Sequence, residues 1–169
     1  MMQIIVIAHN LRSTHNVGSL LRTAEGLGVD MVYFTGYTPY PSLADDSRMP
    51  HIANKLHNQI HKTALGAEET QPWKHSEDIT PVLTKLKNSG FTLCALEQAP
   101  HSISLPEFAP PEKIALVLGR EVEGLEKELL AQVSTVLEIP MKGKKESFNV
   151  VQAAAMALYH CRFFGNNRT

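Results

Sequence analysis

Three short stretches of this sequence carry polar side chains at a spacing that could act on a ligand. The first is Asn16-Val-Gly-Ser-Leu-Leu-Arg22-Thr-Ala24, an amide followed six residues later by a guanidinium. A guanidinium keeps its charge at neutral pH, so it can clamp a phosphate or stabilise negative charge growing on an oxygen. The second is Leu116-Val-Leu-Gly119-Arg-Glu121-Val-Glu-Gly124-Leu125, a strand ending at a glycine with a carboxylate two residues on. Gly119 would let a ligand approach the backbone, and Glu121 could accept hydrogen bonds from hydroxyl or amine groups. The third runs from Ile139 to Tyr159, IPMKGKKESFNVVQAAAMALY. Ser147 and Asn149 there supply a hydroxyl and an amide at a helix start, where backbone N–H groups lack intrahelical partners. Taken singly, each stretch is also explained structurally. They would be a capped amphipathic helix with a solvated arginine, a βα turn with surface acids, and an N-cap.

The elements around them read as alternating strands and helices. Gln3 to Ala8 (QIIVIA) is a buried strand, and Asn16 opens a helix with Leu20, Leu21, Ala24 and Leu27 on its apolar face. Gly28 ends that helix and Met31 to Phe34 is the next strand, a βαβ unit that implies a parallel sheet. Thr35 to Pro50 is irregular. Helices follow over Ile52–Ala67 and roughly Ser76–Asn88, the latter capped by Ser76 or Thr80, with Trp73 beginning a short strand or turn between them. Phe91–Leu96, Ile114–Leu118 and Val133–Ile139 are strands, and Glu97–Lys113, with four prolines, is a long connection. Leu125–Gln132 is a short helix. The last helix spans about Asn149–Phe164 and stops at Gly165. Its Ala153, Ala154, Ala155 and Ala157 permit close approach by another backbone, and Gly143 lets the preceding loop turn tightly.

At 169 residues, with 43% hydrophobic and 20% charged residues, the chain is expected to be one globular domain. A formal net charge of −1 argues against a generic polyanion binder, so any nucleic-acid surface must be local. Cys94 and Cys161 lack a CxxC spacing and suit buried thiols, although a disulfide between them stays open. The N-terminal apolar run lacks a basic flank and is too short for a signal peptide, and no run is long enough to span a bilayer. The expectation is a cytoplasmic protein. Among the eight histidines, His57 and His61 share a helix face, but HNQIH lacks the glutamate of HExxH and no third ligand is evident, so no metal is expected. No Walker A or GxGxxG motif is present.

Together the three stretches closely resemble the motifs of the TrmH-like (SpoU) RNA ribose methyltransferases of the SPOUT class. That family's patterns read N-x-G-x-x-x-R-x-A, then L-x-L-G-x-E-x-x-G-L, then I-P-M with S-x-N-V just beyond. They occur here in the family's order at Asn16–Ala24, Leu116–Leu125 and Ile139–Val150, and Lys62–Ala67 also looks like a family segment. Phe148 departs from the usual leucine and Val151 from the common serine.

The resemblance implies a single domain over residues 1–169. Its fold would be α/β, a mostly parallel sheet flanked by helices, with a deep C-terminal trefoil knot over about 94–165. It implies S-adenosyl-L-methionine as cofactor and S-adenosyl-L-homocysteine as product. Leu96, Glu97, Gly119, Glu121, Ile139, Met141, Ser147, Phe148 and Asn149 would bind it. The reaction would place a methyl group on a ribose 2′-hydroxyl of tRNA or rRNA, with Arg22, Asn16, Glu121, Ser147 and Asn149 as the catalytic set. Arg12, Arg22, Lys142, Lys144 and Lys145 would contact RNA. Family members are homodimers whose composite site joins the cofactor pocket of one subunit to the Arg22 region of the other, with the small-residue face of the last helix suited to the contact. The rival reading is a catalytically silent RNA-binding module that retains the fold.

Overall fold

The computed structural model describes residues 2–164; Gly165, expected to end the last helix, lies outside them. Seven strands form one sheet in which every pairing is parallel. They are β1 (Gln3–His9), β2 (Met31–Thr35), β3 (Trp73–Ser76), β4 (Thr92–Leu96), β5 (Ile103–Ser104), β6 (Lys113–Leu118) and β7 (Thr135–Glu138). Their order is β3-β2-β1-β6-β4-β7-β5. The helices are α1 (Thr14–Gly26), α2 (Pro50–Ala64), α3 (Ala67–Thr70), α4 (Thr80–Asn88), α5 (Lys127–Leu130) and α6 (Val150–Phe164).

Alternation along the central strands splits the core into two layers. Ile4, Val6 and Ala8 of β1, with Ile114, Leu116 and Leu118 of β6, face α1, α2 and α6. Ile5 and Ile7, with Ala115 and Val117, face α4 and α5 through Val82, Leu83, Leu86 and Leu129. The continuous apolar run QIIVIA is therefore a strand covered on both sides. Helix α6 lies on α1, and Arg162 ties the two together by donating to the carbonyls of Met2, Leu27 and Gly28 at 3.0, 3.0 and 2.5 Å. These carbonyls include those left open at the end of α1.

Several boundaries differ from the sequence reading, each for a local reason. Helix α1 starts at Thr14, because extended Ser13 is the N-cap and its Oγ accepts from the Asn16 N–H at 3.2 Å. Asn16 therefore sits in the first turn with its side chain free for other partners. Helix α2 covers Pro50–Ala64, since Leu65 adopts a left-handed φ of 52° that breaks the run before α3. At α4 neither Ser76 nor Thr80 is the side-chain acceptor; Asp78 Oδ1 accepts from the Thr80 N–H at 2.8 Å. The long connection after β4 holds the two-residue strand β5 and a 3₁₀ turn at Leu105–Glu107. The segments Leu125–Gln132 and Val133–Ile139 shorten to four residues of regular structure each.

Strand β7 pairs with both β4 and β5, so it lies between two strands joined by residues 97–102, within the long connection that leads from β4 to β6. Helix α6 then meets that connection, where His160 Nε2 donates to the Phe108 carbonyl at 2.8 Å. A C-terminal strand and helix packed against this earlier connection are consistent with a knotted chain. The alanines of α6 serve this interior: Ala154 and Ala157 are buried, while Tyr159, Phe163 and Phe164 are exposed. Among the described residues no helix is long and apolar enough to cross a membrane.

Candidate active site

Because all strands are parallel, the ends of β4, β6 and β7 open on the same edge, the usual ligand edge of an open α/β sheet. A cleft of about 280 Å³ lies there. Its apolar wall is Leu96, Leu118, Leu137, Ile139, Phe148 and Val150. Its polar wall carries Glu97, Glu121, Glu123, Glu138 and Glu146 against the single arginine Arg120. The volume is near the lower end for small-molecule sites, and the excess of carboxylates favours a ligand bearing positive charge.

The glycine turn between β6 and α5 forms one side. A Cβ at Gly119 would fall 2.7 Å from the Gly124 carbonyl carbon and 2.8 Å from the Leu125 nitrogen. Gly119 is thus required by the chain's own fold-back, a reason distinct from ligand approach. Gly124 has φ +68°, and a Cβ there would lie 2.1 Å from Glu97 Oε2. The Glu97 carboxylate is the clip: it accepts from the Leu125 N–H at 3.1 Å and from the Gln98 N–H at 2.9 Å. Arg120 braces the same turn by donating to Glu126 at 2.7 Å.

At the rim a chain of hydrogen bonds joins the three polar stretches. Asn149 Nδ2 donates to Asn16 Oδ1 at 3.2 Å, and Asn16 Nδ2 donates to Glu121 Oε1 at 3.1 Å. Glu121 also accepts from the backbone N–H groups of Arg12 and Ser13 at 3.3 and 3.2 Å. Burial opposes the charge on Glu121, but its own backbone N–H, Asn16, Ser13 and Arg12 outweigh it and hold the carboxyl below the usual glutamate range. Asn149 does two jobs, since its Oδ1 caps α6 by accepting from the Val151 N–H at 2.9 Å.

The expected site residues divide into three groups. Leu96, Glu97, Gly119, Glu121, Ile139, Ser147 and Phe148 line the cleft. Asn16 and Asn149 stand at its rim through the hydrogen-bond chain, and Met141 is outside the lining. Arg12, Arg22, Lys142, Lys144 and Lys145 are exposed and outside the cleft. Arg22 lies six residues beyond Asn16 on α1 and is exposed, with no side-chain hydrogen bond or ion pair among the described residues. Gly143 has ordinary backbone and open space around it, so the lysine loop turns without needing that glycine.

Gln98 and Arg120 were not singled out from sequence, and Gly124 was read only as part of the second stretch. Gln98 Nε2 donates to the Glu146 carbonyl at 2.8 Å and so holds the lysine loop to the end of β4. The polar Glu97-Gln98 pair directly after the apolar run FTLCAL was the available signal. Gly18, the glycine of the first motif, is explained by packing: a Cβ there would fall 2.2 Å from the Ile60 carbonyl oxygen of α2. Among the described residues no group of three or more His, Cys, Asp or Glu could hold a metal ion.

A parallel sheet flanked by helices, with strand ends and a helix start enclosing a cleft, defines an α/β ligand-binding domain. The chain belongs to the SpoU rRNA Methylase family, whose model matches residues 3–159. An uncharacterized tRNA/rRNA methyltransferase of Mycobacterium tuberculosis is 31% identical over 159 residues, covering 92% of this chain and 50% of that protein. A 23S rRNA (guanosine-2'-O-)-methyltransferase RlmB of Neisseria meningitidis is 28% identical, covering 94% of this chain and 58% of that protein. The chain spans about half the length of these relatives. Among solved structures, the A. aeolicus TrmH/SpoU tRNA modifying enzyme matches with a TM-score of 0.77 at 22% identity, over 96% of this chain and 75% of the other. An RNA 2'-O ribose methyltransferase matches with a TM-score of 0.74 at 25% identity, over 94% and 55%.

Proposed function

We propose that this chain is an S-adenosylmethionine-dependent methyltransferase acting on a ribose 2′-hydroxyl of tRNA or rRNA, and that it works as a homodimer. The observation that carries this reading is the Asn149–Asn16–Glu121 chain, which draws three segments far apart in sequence to one rim. The family membership and the 2'-O-methyltransferases among the relatives support the reaction class.

The cleft fits such a cofactor in two respects. Its apolar wall suits an adenine ring, and its carboxylates suit the sulfonium and ammonium charges. Leu96, Gly119, Ile139 and Phe148 would hold the adenosine end through their backbone groups. When bound, the cofactor supplies an electrophilic methyl group. Glu121, fixed by two backbone N–H groups and the Asn16 amide, would orient the ribose by accepting from its hydroxyls. Ser147 also lines the cleft and would offer its hydroxyl to the sugar. Much of the acceleration would come from aligning the reacting atoms.

Arg22 would reach the site from the partner subunit, which accounts for its exposed position away from its own cleft. A guanidinium does not serve as a base at neutral pH. Arg22 would clamp the adjacent phosphate and stabilise charge on the attacking oxygen, with water removing the proton. The exposed aromatic residues Tyr159, Phe163 and Phe164 of α6 supply apolar surface for the dimer contact. Lys142, Lys144, Lys145 and Arg12 would carry RNA phosphates, because the cleft itself is acidic.

Calorimetry with S-adenosylmethionine and a methyl-transfer assay test the reading together. Arg22→Ala should bind the cofactor as the wild type does and lose transfer by about a hundred-fold or more. Full transfer in that variant removes Arg22 from the mechanism. A wild-type protein that binds RNA but not S-adenosylmethionine would favour the silent RNA-binding module instead.

A further inference from the structure

A second groove, about 660 Å³, lies beyond the wall formed by Arg12, Ser13 and Thr14. That wall is shared with the acidic cleft's rim, because the backbone N–H groups of Arg12 and Ser13 hold Glu121. The groove has a different character: its side chains include Arg12, Tyr37, Tyr40, Arg48 and His75, with Glu77 as its only carboxylate.

Tyr37 is 52% exposed, and its exposure is enforced. Its N–H donates to Asn10 Oδ1 at 3.1 Å. The neighbouring Thr38 hydroxyl is latched to the Ala8 carbonyl at 2.9 Å and accepts from the Leu11 N–H at 3.0 Å. Gly36, with φ +66°, turns the chain where a Cβ would lie 1.9 Å from Asn10 Oδ1. Two loops are thereby fixed side by side, and the Arg12 guanidinium stands 5.9 Å from the Tyr37 ring centroid. The floor is rigid as well. Tyr40 is sandwiched between Arg48 at 3.6 Å and His75 at 3.9 Å, and Arg48 is anchored by Asp46 at 2.6 Å.

We propose that this groove binds a single-stranded RNA nucleotide adjacent to the one that reacts, with its base stacked on Tyr37 and its phosphate held by Arg12. An aromatic face held toward solvent beside a guanidinium is the combination that receives an unpaired base with its backbone. Arg48 is committed to Asp46, but Arg12, its side chain 69% exposed, is only loosely paired with Glu123 at 3.7 Å. Its guanidinium can therefore take a phosphate, whereas the acidic cleft next to it does not suit one. The proposal rests on the RNA-methyltransferase reading and deepens it by naming a second contact for the substrate.

The test measures anisotropy of a short fluorescein-labelled oligouridylate with the full chain, alongside calorimetry with S-adenosylmethionine and sedimentation of each variant. Tyr37→Ala should weaken oligonucleotide binding about ten-fold, the scale of one base–aromatic stack, while Tyr37→Phe stays within about two-fold of wild type. Arg12→Gln should lower the salt slope of binding by about 0.7. Cofactor affinity should be the same in all three variants. Equal oligonucleotide affinity in Tyr37→Ala and wild type overturns the proposal. So does a change in sedimenting mass without a change in RNA affinity, which would assign the groove to a second copy of the chain. Failure of the wild type to bind S-adenosylmethionine would sink the methyltransferase reading, while the oligonucleotide measurements still judge the groove by themselves.

Discussion

Asn16→Ala removes the middle link of the rim chain, and its effect can be worked from the contacts it makes. Two hydrogen bonds disappear: one to the Glu121 carboxylate at 3.1 Å and one from Asn149 at 3.2 Å. A bond to a charged group contributes about 1.5–3 kcal/mol and a neutral one about 0.5–1.5 kcal/mol, and a solvent-accessible rim places both at the low ends. The expected loss is therefore about 2 kcal/mol, which for a domain of this length lowers the melting temperature by about 4–8 °C. The effect should depend on pH. Glu121 is held below its ordinary value of 4.5 with the help of Asn16, so its contribution to stability is complete above that value. It disappears as pH falls through the lowered folded-state value. In the variant the carboxyl moves back up, so the melting gap should be full at neutral pH and narrow as pH drops below 4.5. Scanning calorimetry of Asn16→Ala, Asn149→Ala and the double variant completes the test, with a coupling of about 0.5 kcal/mol or more expected between the two sites. A melting shift under about 1 °C that ignores pH, or strictly additive variants, would refute the rim chain as a structural link.

Three further predictions follow from positions where backbone or charge is committed. Gly18→Ala drives a Cβ to 2.2 Å from the Ile60 carbonyl oxygen and should cost about 1–3 kcal/mol in denaturant unfolding through separation of α1 from α2. Gly124→Ala must adopt a left-handed backbone, costing about 1–2 kcal/mol, and must displace Glu97 as well. Its affinity for S-adenosylmethionine should fall about ten-fold or more by calorimetry. Replacing Lys142, Lys144 and Lys145 together with Gln should lower the salt slope of RNA binding by about 2 without changing cofactor affinity; an unchanged slope would exclude that loop from the RNA surface.

The parallel sheet was legible because β1 and β6 are short apolar runs covered on both faces, which leaves little choice of element. The three polar stretches were legible because residue type and order persist whatever the exact boundaries. Asn16 was misread as the cap because Ser13 and Asn16 are both good capping residues, and only backbone geometry selects Ser13. The packing requirement at Gly119 was not legible because close approach by the chain's own Gly124 and Leu125 cannot be distinguished in sequence from approach by a ligand. Strand β5 was missed because two residues amid prolines carry no periodicity; its partner β7 defines it. The ordered groove around Tyr37 was hidden inside a stretch read as irregular, since its latches to Asn10 and Leu11 join loops far apart in sequence.

The central claim is that the joined rim and acidic cleft direct a methyl group onto ribose. The direct measurement incubates the protein with methyl-labelled S-adenosylmethionine and bulk tRNA and rRNA, then digests the RNA for nucleoside mass spectrometry. Label confined to 2′-O-methylnucleosides, and lost with Arg22→Ala, is the predicted result. Label on a nucleobase, or cofactor binding with no transfer to any RNA fraction, would contradict it.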